Sequence, residues 1–162
     1  MRQTDQPTAM PYTYPVREPA RYNCAELPAV PYVVPEARRQ VRAAIRYWHL
    51  PVDSEVAALL VSELVTNAVL HDAVRSAVGG DEDTITLTIV SAEGELRVDV
   101  YDSSPDLPVL NGDGIPPAEA EHGRGLVLVD SLSTDWGSYC AGTGKGVYFT
   151  LGFHARKPAN AD

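Results

Sequence analysis

The chain has 162 residues, of which 44% are apolar and 22% charged, enough for one domain with a core of its own. Its 13 basic and 22 acidic residues leave a net charge of −9, which argues against direct nucleic-acid binding, since that affinity comes from neutralising phosphates. No apolar run reaches the roughly 18–20 residues of a spanning helix, and residues 1–15 hold no signal-peptide-like stretch. The two cysteines, Cys24 and Cys140, form no CxxC pair and no disulfide framework. The expectation is a cytoplasmic protein without membrane contact.

Seven of the 13 prolines and four of the eight tyrosines fall in the first 36 residues. Pro7, Pro11, Pro15 and Pro19 block helix, so residues 1–20 read as a flexible tail. Arg21 to Leu27 reads as an edge strand that opens a domain over residues 21–153, with a second tail at 154–162. From Val34 the apolar positions Ala37, Val41, Ala44, Ile45 and Trp48 recur at three- and four-residue spacing. They predict an amphipathic helix whose opposite face carries Arg38, Arg39, Arg42 and Arg46. That helix stops before Pro51, and Asp53 caps a second one, SEVAALLVSELVTNAVLHDAV, which is apolar nearly all round. Two alternating segments follow, Thr84 to Val90 and Glu95 to Tyr101, joined as a hairpin at Ala92-Glu93-Gly94. Residues 103–124 have no period and read as a long functional loop. A short helix, GLVLVDSLS, and a closing pair of strands, Trp136 to Cys140 and Gly146 to Phe153, complete an α+β order. Helices should pack on one face of a mixed sheet, as a two-layer sandwich.

Three places break the apolar pattern. In the second helix Glu63 and Asn67 stand four residues apart on one face, with His71 a further turn along. Buried without partners, such groups would cost on the order of 2–7 kcal/mol each. A solvent stripe is the ordinary explanation, but the flanking residues are apolar on every side, so a polar ligand or hydrated cation accounts for them better. An Asn oxygen suits Mg²⁺, which keeps waters and shares phosphate oxygens. The alternation of Leu96, Val98 and Val100 places Asp102 on the core side, where it is equally a turn starter or an acceptor for the exocyclic amine of a base. Finally, His122-Gly123-Arg124-Gly125 runs directly into an apolar helix, whose N-terminus offers unpaired N–H groups to phosphate.

Glu63-Leu64-Val65-Thr66-Asn67-Ala68-Val69-Leu70-His71, Val98-Asp99-Val100-Tyr101-Asp102-Ser103-Ser104-Pro105 and His122-Gly123-Arg124-Gly125-Leu126 occur in this order. Together they resemble the nucleotide-binding fold shared by gyrase, heat-shock protein 90, histidine kinases and MutL. Within it, the likeness is to the bacterial anti-sigma-factor serine kinases of actinomycete type, over about residues 21–153. The resemblance implies an α/β sandwich that binds ATP with Mg²⁺. Glu63 would be the general base, Asn67 the Mg²⁺ ligand and Asp102 the adenine partner. Gly123, Arg124, Gly125 and Leu126 would border the nucleotide beneath a lid formed by residues 103–124.

The implied activity is a protein serine/threonine kinase acting on an anti-sigma antagonist or another regulatory partner, such as a sigma factor or a helix-turn-helix regulator. A homodimer is an arrangement common among such proteins. The alternative is an ATP-gated binding protein that sequesters a transcription regulator without phosphorylating it. Two positions depart from the family pattern. Ser104 stands where a glycine is frequent, and Gly144-Lys145-Gly146 stands where a nucleotide-contacting threonine often opens the later strand. Lys145 reads as a turn lysine in solvent, with a phosphate contact as the other option.

Overall fold

A computed structural model describes residues 20–76, 84–103 and 124–153, apart from the side chains of residues 71–76 and Arg124. Residues 1–19 and 154–162, read above as tails, residues 104–123 of the expected lid with Gly123 among them, and the side chains of His71 and Arg124 lie outside this description. Five strands, β1 (Arg21–Pro28), β2 (Thr84–Ala92), β3 (Glu95–Asp102), β4 (Asp135–Ala141) and β5 (Gly144–Gly152), form one sheet in the order β1-β2-β3-β5-β4. Three helices, α1 (Val34–Tyr47), α2 (Ser54–Ser76) and α3 (Arg124–Leu132), accompany it, and the fold is the expected α+β sandwich. None of the described helices is long and apolar enough to cross a membrane.

Every strand pair is antiparallel, which corrects the expectation of a mixed sheet. Two helices, α1 and α2, lie between β1 and β2 in the chain, yet the two strands are neighbours in the sheet and run antiparallel. β4 runs in the same direction as β3, but β5 sits between them and pairs with both in the opposite sense. The sequence order contained the strands; their neighbours were decided by where β5 inserts.

Burial follows the two periodicities. Ile85, Leu87 and Ile89 of β2, Leu96, Val98 and Val100 of β3, and Val147, Phe149 and Leu151 of β5 are all buried on one face. Each large side chain of this kind contributes roughly 1.5–3 kcal/mol. Ala37, Val41, Ala44 and Ile45 form the buried stripe of α1. Among them and the sheet lies α2, which packs on α1, α3 and β3; this explains why its sequence lacks a clean polar face. Its start is fixed by Asp53, whose Oδ1 accepts from the backbone N–H of Glu55 at 2.9 Å and of Val56 at 3.2 Å, satisfying donors that a helix leaves unpaired. Arg42 joins α1 to Glu55 at the beginning of α2 through a two-pronged contact of 2.9 and 2.7 Å. The β2–β3 hairpin turns on Glu93 and Gly94, with φ of 52° and 80°, the two positive values a tight two-residue loop requires.

Candidate nucleotide site

The polar stripe of α2 does not face open solvent. Glu63 and Asn67 are both half-buried, and they point to where the end of β3, the start of α3 and the start of β5 converge. A small cavity there is lined by Leu64, Asn67, Ala68, Val100, Asp102, Leu126, Lys145 and Val147. Four of the residues expected at the site are therefore placed in one region: Asn67, Asp102 and Leu126 on the cavity, and Glu63 immediately beside it. Glu63 is located by Gly125, because a Cβ at residue 125 would overlap the Glu63 carboxylate Oε2. Glycine at that position allows the first turn of α3 to come down directly onto the acid. Desolvation in this crevice raises the Glu63 pKa above the ordinary carboxylate value, toward the range in which a carboxylate is a better proton acceptor.

Asp102 completes the alternation of β3 on the inner face and is 4% exposed, so the inward placement read from Leu96, Val98 and Val100 is what the sheet produces. Its neighbour overturns an expectation. Lys145 is not a turn residue in solvent: it lies within β5, is 2% exposed, and is the cross-strand partner of Asp102. The Lys145 Nζ stands 3.8 Å from Asp102 Oδ2. The physical reason is the position of the turn. The chain reverses earlier, at Gly142 with φ of 60°, and β5 begins at Gly144.

A Cβ at residue 144 would overlap the Asp102 carbonyl oxygen, so the missing side chain lets β5 close against the end of β3. Tyr101 secures the junction by donating from its hydroxyl to the Ala141 carbonyl at 2.8 Å. A signal for the buried lysine was present in the sequence. Extending the alternation of Leu151, Phe149 and Val147 back by two residues lands on Lys145.

The sequence profile of the family described as Histidine kinase-like ATPase domain matches residues 27–151. The chain belongs to that family. Two nucleotide-free structures of the catalytic domain of histidine kinase ThkA share its fold. One has a TM-score of 0.51 at 15% identity and the other 0.50 at 16%, each covering 81% of this chain and 96% of that one. No curated protein matches the sequence significantly. Family membership implies ATP as a ligand, and the candidate site brings together an amide on α2, a carboxylate on β3 and a glycine-led helix start on α3. Among the described residues, no three His, Cys, Asp or Glu groups converge on a metal position. A divalent ion at Asn67 would thus take most of its ligands from phosphate oxygens and water, as Mg²⁺ characteristically does.

Proposed function

We propose that this protein binds ATP with Mg²⁺ and transfers the γ-phosphoryl group to a serine or threonine hydroxyl of a regulatory protein, such as an anti-sigma antagonist. The observation that carries this reading is the position of Glu63. A carboxylate that served only as a solvated surface group would not lie desolvated against the first glycine of α3, one helical turn from Asn67 and beside the cavity that contains Asp102.

Asp102 would accept from the adenine amino group, Asn67 would supply its amide oxygen to the ion, and the N–H groups at the start of α3 would face the phosphates. Bound Mg²⁺ would neutralise charge on the phosphate oxygens. Glu63 accepts the proton of the incoming hydroxyl as that oxygen bonds to the γ-phosphorus. The bond from phosphorus to the β–γ bridging oxygen breaks, and ADP departs with the electron pair.

The test is Glu63→Gln, assayed with radiolabelled ATP and the regulators encoded next to this protein. The variant should bind ATP as the parent does, while phosphorylation falls by roughly 10²–10⁴-fold. Phosphorylation at the parental rate would remove Glu63 from the mechanism. A parent protein that holds its partner in the presence of ATP, yet never phosphorylates it, is instead a nucleotide-gated binding protein.

A further inference from the structure

Among the described residues, the large aliphatic side chains that reach solvent all lie on two helices. They are Leu59 and Leu70 of α2 and Leu128 and Leu132 of α3, each 37–41% exposed. The other large apolar groups at the surface are tyrosines, and none of those stands on α2 or α3. On α2, Leu59, Glu63, Thr66 and Leu70 follow at steps of four, three and four, which is one side of a helix. On α3, Gly125, Leu128 and Leu132 recur at three and four. The helices pack on each other, and the two rows meet where Gly125 lies against the Glu63 carboxylate. Single exposed leucines need no explanation, whereas rows of them on two packed helices mark an interaction surface.

The chemistry where the rows meet selects what covers them. Glu63 is half-buried, and among the described residues its carboxylate has no hydrogen-bond or ion-pair partner. Covering the leucines with a purely apolar surface would seal that acceptor away from water without a donor, which is costly. A protein segment with a hydroxyl between apolar side chains covers the leucines and supplies the donor. We propose that the exposed rows of α2 and α3 are the docking surface for the phosphoryl-acceptor protein, which lays its serine or threonine over Glu63 with apolar neighbours on both sides. This rests on the kinase reading above and adds the feature of the acceptor that the reading leaves open. The leucines do not touch the reacting atoms. They hold the acceptor equally in the ground state and in the transition state, so their loss raises KM and spares kcat.

The test uses the full chain, radiolabelled ATP and the regulators encoded next to this protein, with the regulator concentration varied. Leu59→Glu and Leu128→Glu should each raise the KM for the regulator about 10–100-fold. The kcat at saturation and the ADP affinity by calorimetry should stay near parental. Leu59→Ala and Leu128→Ala introduce no charge, so they keep the fold, and should move KM the same way by a smaller factor. Tyr47→Glu, at an exposed apolar residue of α1, should change none of the three quantities. Parental KM in the leucine variants overturns the proposal, as does an equal rise in Tyr47→Glu. Weaker ADP binding with KM unchanged also overturns it, because the surface is then covered by the chain itself. So does a dimer that falls apart in sedimentation with KM unchanged, because a second copy is then the occupant. A parent that phosphorylates none of the regulators overturns the kinase reading, and this proposal with it.

Discussion

Strand β3 carries two aspartates, Asp99 and Asp102, and each is paired with a cation on a different face of the sheet. On the outer face Arg97 grips Asp99 with two parallel bonds of 2.9 and 2.8 Å, and its guanidinium lies 3.7 Å from the centroid of the Tyr148 ring. That arrangement is geometrically saturated: fork meets carboxylate, and the cation is stacked on an aromatic face. Its arginine side chain is 38% exposed. On the inner face Lys145 and Asp102 are 2% and 5% exposed and stand 3.8 Å apart in a looser, single-pronged contact. Water reaches the arginine of the outer pair but hardly its aspartate, 10% exposed, so screening there is partial. The inner pair is unscreened and costs desolvation. Two ion pairs on one strand thus differ in setting, one reaching the surface through its arginine and the other lining an internal cavity.

The sharpest way to break this contrast is to remove one partner of the inner pair. Asp102→Ala leaves a lysine buried without its carboxylate and should destabilise the protein by about 3–5 kcal/mol. Asp102→Ala combined with Lys145→Met should recover part of that loss, as read by urea unfolding. If the double variant is no more stable than the single, the buried charges are not coupled. Gly125→Ala tests the next feature. The new methyl meets the end of a flexible side chain, so the fold should tolerate it, but the Glu63 carboxylate must move. Phosphoryl transfer should fall on the order of 10²-fold, as for other displaced catalytic groups, with nucleotide affinity nearly kept. An unchanged rate would show that the contact between Gly125 and Glu63 does not position the acid.

Removing the outer arginine should do less. Arg97→Ala, which takes both arginine bonds from a largely buried Asp99, is expected to cost about 1–3 kcal/mol and to leave nucleotide binding untouched; a large loss of binding would erase the distinction between the two faces. The smallest effect is a pH dependence at Glu63. Desolvation raises its folded-state pKa above the unfolded value, so the folded protein binds the extra proton and the ionised acid is a liability. That liability is absent below the unfolded carboxylate pKa and complete above the raised folded one. Glu63→Gln should therefore raise the melting temperature slightly at neutral pH, with the gain disappearing in acid. A gain of equal size at both pH values would mean that ionisation is not the cause.

The sequence by itself determined the described elements and singled out most of the residues that meet at the candidate site. The three-and-four spacing of Ala37, Val41, Ala44 and Ile45 specified α1, and the strict alternation of Leu96, Val98 and Val100 carried Asp102 to the inner face. Glu63 and Asn67 stood out because unpartnered polar groups are costly inside an apolar helix. These are local statements, fixed by the period of a helix or a strand and by the side chains within a few residues. The tertiary structure alone decided that β5 inserts between β3 and β4, making the sheet antiparallel throughout. That insertion places Lys145 against Asp102, and the packing of α3 on α2 places Gly125 against Glu63. Each of those contacts joins residues more than forty positions apart, and no local period encodes them. The Lys145 contact depends on where the β4–β5 turn falls, and that turn is set by Gly142 and by a Gly144 whose missing side chain lets β5 close on the end of β3.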